Sequence, residues 1–170
     1  MIRYFGHTSH TIKAPYKPIK EGYKLWAIGD HGYIYNWLWY SKDCGTEGLS
    51  SRLRSSPGLA DTQALVILLA KSLPEPANFG YTLYLDNLFT NIPLATALGE
   101  LRIGVMGTTR ATASGFPKEL AQLKKSKEPL EWGYLKTAIV DRAQCFLWQD
   151  NNRVLGITTA YNLEDTVIRP

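Results

Sequence analysis

The chain has 170 residues, of which 45% are hydrophobic and 20% are charged, a composition typical of a globular domain. This length is sufficient for one domain with a sizeable core and too short to expect two. Nineteen Lys and Arg residues against fifteen Asp and Glu residues give a net charge of +4. Such a charge is compatible with a polyanionic partner without demonstrating one.

The cysteines and the apolar runs exclude several classes of protein. Cys44 and Cys145 are far apart, and neither has a Cys or His neighbour at a zinc-ligand spacing. This argues against a disulfide framework and against a structural zinc site. The longest continuous apolar run, residues 64–70, is too short to cross a bilayer. We therefore expect an intracellular protein with no membrane partner.

The first forty residues predict an extended entry segment followed by two strands. Residues 1–20 mix apolar and basic side chains, and their lysines either follow a phosphate backbone or form a solvated loop. Residues 23–28 and 33–40 read as strands, joined by a tight turn at residues 30–32. The second strand carries Tyr and Trp at alternate positions, and such side chains can stack on bases. We expect them instead to be core, in a strand covered on both sides.

A loop and a buried helix come next in the chain. Residues 41–59 are rich in Ser and Gly and predict an irregular segment. Asp61 is a plausible N-cap for a helix that runs to about residue 72. This helix is apolar on nearly every side, so we expect it to be buried against a sheet.

A crossover unit is predicted for the centre of the chain. Residues 81–86 read as a strand, residues 92–101 as a helix capped by Asn91, and residues 103–108 as a second strand. Two strands separated by a helix at this spacing are expected to be parallel. Three further strands are predicted at residues 134–140, 144–149 and 154–159, the last two joined as a hairpin.

Asp86 stands at the carboxyl end of the first strand of this unit. In α/β folds, catalytic and metal-binding groups lie in the crevice outside such strand ends. An Asp at a strand end is also an ordinary turn former or helix cap. The residues alone leave both interpretations open.

A basic segment at residues 111–131 contains a short predicted helix at residues 117–123. Its four lysines are Lys118, Lys124, Lys125 and Lys127. They form either a phosphate-contacting patch or the solvated face of a helix, and composition does not separate the two.

Several segments, in the same order, resemble the piggyBac family of transposases. Residues 85–94, with the sequence Leu-Asp-Asn-Leu-Phe-Thr-Asn-Ile-Pro-Leu, carry most of the resemblance. The other similar segments are residues 1–6, 17–26, 32–35, 104–110, 115–120, 146–152 and 154–159. Together they extend over essentially the whole chain.

The resemblance implies a fold and a site. The fold is α/β, a mixed sheet with flanking helices similar to part of a ribonuclease-H-like transposase core, in one domain over residues 1–170. Asp86 corresponds to the second of the family's three catalytic aspartates, which hold Mg²⁺ in DDE-type chemistry. Nothing in the chain matches the first or third aspartate, and we expect these before Met1 and after Pro170. The surfaces by which such transposases grip DNA favour the four lysines as phosphate contacts.

The resemblance also implies which partners the chain has and whether it is catalytically active. One carboxylate binds Mg²⁺ too weakly to position the two ions that phosphodiester chemistry requires. We therefore expect a transposable element-derived protein that is catalytically inactive as this chain and does not bind Mg²⁺ stably. The alternative is a non-catalytic DNA-binding module derived from a transposase. Expected partners are DNA in the nucleus and, through an unpaired strand edge, a second copy of the chain. Assembly with a full-length transposase is a third hypothesis, for which the sequence carries no signature.

Overall fold

The structure is a computed structural model that describes residues 1–40 and 58–163. The strands are β1 (Ile2–Arg3), β2 (Ile12–Lys13), β3 (Glu21–Tyr23), β4 (Leu25–Asp30), β5 (Tyr33–Trp39), β6 (Thr82–Leu85), β7 (Gly104–Thr108), β8 (Leu135–Val140), β9 (Ala143–Gln149) and β10 (Arg153–Thr158). The helices are α1 (Asp61–Ala70), α2 (Pro76–Phe79), α3 (Ile92–Glu100) and α4 (Lys118–Lys125). Most of the predicted loop, residues 41–57, lies outside the described residues, as does Cys44.

Five strands form the main sheet, in the order β6-β7-β10-β9-β8. β6 and β7 are parallel and are connected through α3, whereas the other neighbouring pairs are antiparallel. The predicted crossover unit and the predicted hairpin between β9 and β10 are therefore confirmed. The expected α/β fold with a mixed sheet and flanking helices is confirmed with them.

The main core lies between this sheet and the helices. Leu94 and Leu98 are one turn apart on α3, and with Leu120 of α4 they are completely buried. They pack in one cluster with inward-facing residues of the central strands, among them Leu147 and Ile157. Burying large aliphatic side chains of this kind stabilises a fold by about 1.5–3 kcal/mol each. The core thus holds α3 and α4 on the sheet.

Helix α1 is buried, as its sequence predicts, but its first residue plays a different part. Ala60 has the extended backbone of an N-cap, and Asp61 is the first helical residue. Asp61 therefore does not cap the helix. Its carboxylate lies in the first turn, where a negative charge interacts favourably with the helix dipole. Ala64, Leu65 and Leu69 of α1 form a second cluster with Trp26, Ile28 and Leu38.

Strands β4 and β5 form a separate two-stranded sheet. The turn between them is His31-Gly32, and both residues have positive φ, at 46° and 86°. Such a two-residue turn matches the twist of an antiparallel hairpin, so the predicted turn is confirmed. The predicted strand at residues 23–28 is divided at Lys24, because β3 pairs with β1 and β2 in a third small sheet.

The aromatic residues of β5 are not core, and the expectation that both faces of this strand are covered is wrong. Tyr33, Tyr35, Trp37 and Trp39 are between 40% and 66% exposed. Their rings contact one another edge to face, with centroids 5.0 Å apart for Tyr33 and Tyr35 and 5.1 Å apart for Trp37 and Trp39. The hairpin packs on α1 through its other face. In the described part of the chain, Tyr23 contacts the Trp39 ring, and the aromatic face otherwise remains exposed. Within the described ranges no helix is long and apolar enough to span a membrane.

Candidate functional site

Asp86 follows the last residue of β6 and begins a tightly bonded loop. Its side-chain Oδ1 accepts a hydrogen bond from the main-chain N–H of Leu88 at 2.8 Å. Its carbonyl accepts bonds from the N–H groups of Phe89 and Thr90 and from the Thr90 hydroxyl, the last at 2.9 Å. The carboxylate is exposed. The structure therefore gives Asp86 the turn-forming role that its position at a strand end allows, and leaves the acid accessible to solvent.

The loop is anchored at both ends to regular structure. The Thr109 hydroxyl, beyond the end of β7, donates to the Thr90 carbonyl at 2.8 Å. Asn91 has extended backbone and accepts from the Leu94 N–H at 2.9 Å, so it is the predicted N-cap of α3. Asp86 is consequently held between the parallel strand pair and a capped helix.

Arg110 belongs to the same strand-end region, although the sequence analysis gave it no role. Its guanidinium Nη2 lies 3.5 Å from the side-chain oxygen of Asn87, and the residue is exposed. β6 and β7 are parallel, so their carboxyl ends meet at one edge of the sheet. Arg110 comes two residues after β7, just as Asp86 comes directly after β6. The parallel pairing of β6 and β7 that the sequence predicts was therefore enough to place Arg110 at the same edge as Asp86.

The residues around Asp86 do not fit a two-metal site. Over residues 1–40 and 58–163, no group of three or more His, Cys, Asp or Glu side chains is arranged to hold a metal ion. Mg²⁺ prefers octahedral oxygen coordination and retains several waters, so a stable pair of ions needs several converging carboxylates. Asp86 and Asp30 line one groove, but they do not belong to a described group of three or more such ligands.

The four lysines are exposed and lie on α4 or just after its end. Lys118 and Lys125 are seven residues apart and share the outer face of α4, opposite the buried Leu120. Lys124 is on the flank of the helix, and Lys127 follows its end. α4 packs against β10, β9 and β8. Asp86 follows β6, which is two places from β10 in the sheet order, or about 10 Å at ordinary strand spacing. The structure therefore groups the lysines with one another and not with the carboxylate.

Arg153 on β10 fixes the end of the lysine-bearing helix. Its guanidinium donates hydrogen bonds to the carbonyls of Leu123, Ser126 and Glu128. The last carbonyls of a helix have no partner within the helix, and a cation is favourable there. Nothing in the local sequence indicates this contact, because it joins residues 25 to 30 positions apart.

Two groups of the sheet have raised pKa values. Burial raises the pKa of the Cys145 thiol to about 11, so the thiol remains neutral at physiological pH. A hydrogen bond with Tyr161 raises the pKa of the Tyr84 hydroxyl. Tyr84 is on β6 and points to the face opposite Leu83 and Leu85. The hydrogen-bonded pair of Tyr84 and Tyr161 therefore lies on the exposed face of this edge strand.

Fold and site together define a transposase-type α/β domain, with an aspartate at the end of a parallel strand pair. Residues 1–169 match the family model described as Transposase IS4. The chain therefore belongs to the Transposase IS4 family. It is also 26% identical over 170 residues to human PiggyBac transposable element-derived protein 2, covering 96% of this chain and 27% of that protein. These findings confirm the resemblance to piggyBac transposases.

A solved structure supports the same fold. The chain is similar to the piggyBac transposase in a cryo-EM structure of its synaptic complex with hairpin DNA, with a TM-score of 0.71. The sequences are 21% identical, and the match covers 96% of this chain and 32% of that one. The fold is thus ribonuclease-H-like. The chain spans between a quarter and a third of the length of these two relatives.

Proposed function

We propose that this chain is a piggyBac transposase-derived protein that does not cleave or join DNA by itself. The observation that carries the proposal is that the described residues contain no group of three or more His, Cys, Asp or Glu side chains that could hold a metal ion. Two-metal phosphodiester chemistry needs one ion at the attacking oxygen and another at the leaving oxygen. Charge stabilisation in a transition state requires ligands that are already in place. Asp86, exposed and engaged in a turn, does not provide them by itself.

A strand-cleavage assay tests this proposal. The chain is incubated with a linear duplex and either Mg²⁺ or Mn²⁺, beside the Asp86→Ala variant and an Asp150→Ala variant as a matched change at another turn. We expect the same background for all three proteins. Metal-dependent cutting that is lost in Asp86→Ala but kept in Asp150→Ala would refute the proposal.

A second candidate function is binding to duplex DNA through α4. It is favoured by the four exposed lysines and by Arg153, which holds the end of that helix against the sheet. The structurally similar transposase is in a complex with hairpin DNA, which makes DNA the natural polyanion to test. A protein with this function would act in the nucleus, and imaging of a fluorescently tagged chain would check that.

The salt dependence of binding distinguishes contacts of these lysines with DNA phosphates from a general attraction by the net charge of the chain. Each phosphate contact contributes about −0.9 to the slope of log K against log salt concentration. We expect the double substitution Lys118→Gln and Lys125→Gln to reduce the slope by about 1.8 units. Lys71→Gln with Arg102→Gln removes the same charge from exposed residues outside α4 and the strands that it packs against, and should leave a larger slope. Equal slopes for the two double variants, or no binding at low salt, would remove α4 as the DNA surface.

A further inference from the structure

The excess positive charge of the chain is concentrated in residues 1–24. This segment contains five Lys and Arg side chains and one carboxylate, Glu21, which gives a net charge of +4. Residues 25–170 contain fourteen Lys and Arg and fourteen Asp and Glu side chains. The net charge of +4 of the whole chain is therefore the charge of its first 24 residues, which include β1, β2 and β3.

A groove among these three strands brings several of the charges together. Arg3, Lys13 and Lys20 line it, and all three residues are exposed. Glu21 also lines it and accepts a hydrogen bond from the Thr11 hydroxyl at 3.4 Å. The groove has a volume of about 600 Å³. Three cations against one carboxylate favour an anionic ligand, and we call this feature the cationic groove.

Aromatic side chains lie among the cations. Tyr4 and Phe5 line the cationic groove. Phe5 is 87% exposed, and the guanidinium carbon of Arg3 lies 5.8 Å from the centre of its ring. Nucleic-acid bases stack on exposed rings and on arginine side chains of this kind. The groove therefore presents charges for phosphates and planar surfaces for bases in the same place.

The rings continue from the groove onto the exposed face of β5. The ring centroids of Tyr4 and Tyr23 are 4.9 Å apart, and those of Tyr23 and Trp39 are 5.3 Å apart. Trp39 also contacts Trp37, at 5.1 Å. These four residues form a continuous line that we call the aromatic row. Ala27 is opposite Trp37 on β4, so the neighbouring strand places only a methyl group beside that ring.

We infer that the cationic groove and the aromatic row together bind an unpaired nucleic-acid strand, with phosphates in the groove and bases stacked on the rings. An unpaired strand exposes both its phosphates and the faces of its bases, whereas the bases of a duplex stack on one another. An acidic peptide would use the groove and leave the row unoccupied. This site is separate from α4, and the inference does not depend on duplex binding there.

Fluorescence anisotropy of labelled oligonucleotides tests the inference on the unaltered chain. The probes are oligothymidylate and oligouridylate of about fifteen nucleotides, which is within the range of sites that use stacking. We expect saturable binding at low salt. The relative affinity of the two probes identifies DNA or RNA as the natural source of the strand, because only RNA carries the 2′-hydroxyl.

Two exposed rings provide a matched pair of variants for the stacking part of the inference. Phe5→Ala removes a ring of the cationic groove that is 87% exposed, so its loss should leave the fold intact. It should weaken binding of the probes about fivefold or more. Trp132→Ala is the control: Trp132 is 72% exposed and lies outside the aromatic row, and its loss should leave binding unchanged.

A second pair of variants locates the phosphate contacts. Arg3→Gln with Lys20→Gln should reduce the slope of log K against log salt concentration by about 1.4 units, because each contact with a single strand contributes about 0.7. Lys118→Gln with Lys125→Gln removes the same charge from α4 and should leave the slope for the single-stranded probes unchanged.

Three results would overturn the inference. The first is the absence of binding to both probes at low salt. The second is equal affinity of Phe5→Ala and Trp132→Ala, which would show that charge alone holds the strand. The third is a slope that falls in the α4 variant and not in the groove variant, which would place the phosphate contacts on α4.

Discussion

The hydrogen bond from Leu88 to Asp86 allows the turn-forming role of this aspartate to be separated from any role of its charge. Asp86→Asn keeps an oxygen acceptor at the position of Oδ1, which lies 2.8 Å from the Leu88 nitrogen, and removes the charge. Asp86→Ala removes both. A typical intramolecular hydrogen bond contributes about 0.5–1.5 kcal/mol to stability. We expect Asp86→Ala to lower the free energy of unfolding by about 1 kcal/mol and Asp86→Asn to change it by less than about 0.5 kcal/mol.

Thermal and urea denaturation followed by circular dichroism measure the effect. For a chain of this size, 1 kcal/mol corresponds to a shift in Tm of about 2–4 °C. Equal destabilisation by Asn and Ala would refute the reasoning, because the charge and not the acceptor would then hold the turn. Repeating the melts with Mg²⁺ adds a second comparison: at ten times its Kd, a bound ion would stabilise the fold by about 1.4 kcal/mol. We expect no such shift for the unaltered chain or for either variant.

Three further predictions concern the elements that surround the site. Asn91→Ala removes the cap bond to Leu94 and should cost about 1 kcal/mol of stability. Gly156→Ala should cost about 1–3 kcal/mol, because its new Cβ would lie 2.1 Å from the ring of the buried Phe146. Cys145 should react slowly with thiol reagents in the folded chain at pH 8. Because its pKa is raised from 9.0 to about 11 in the folded chain, its stability contribution should be lost as the pH rises from 9 to 11.

Each of these predictions has a control that the chain itself offers. Asn91→Asp keeps the acceptor and should retain most of the stability. Combining Gly156→Ala with Phe146→Leu should recover part of the loss if the ring contact is its cause. Thiol labelling uses a Cys44→Ser background, and the fall in stability above pH 9 should be smaller in Cys145→Ala. No recovery in the double variant, or rapid labelling of the folded thiol, would contradict the corresponding prediction.

Local sequence signals predicted much of the fold. The spacing of strand, helix and strand around Asp86 indicated the parallel pair, and Asn91 followed by Pro93 marked the start of α3. Turn residues marked the hairpins, as at His31-Gly32. These signals succeed because they depend on neighbouring residues, whose backbone preferences are nearly independent of the rest of the chain.

Features that depend on distant contacts were not predictable in the same way. The alternation of Tyr33, Tyr35, Trp37 and Trp39 showed that these rings share a face, but alternation does not say whether another layer covers it. Arg153 gave no signal for its contacts with α4, because its partners are main-chain carbonyls, which any residue carries. The strand-end position of Asp86 was predictable, and the predicted pairing of β6 with β7 was sufficient to place Arg110 at the same edge.

The hydrogen bonds from Arg153 to the end of α4 have a consequence for the evolution of the surface formed by the four lysines. Ordering a flexible basic segment on contact with a partner costs conformational entropy, and a segment that is already ordered avoids that cost. Arg153 orders residues 123–128 before any partner arrives. A substitution at Lys127 would remove one charge and leave the shape of the surface intact. Arg153 donates hydrogen bonds to carbonyls of its own chain, so a substitution there would loosen the whole segment. The contribution of every lysine in that segment to binding a polyanion would then fall at once.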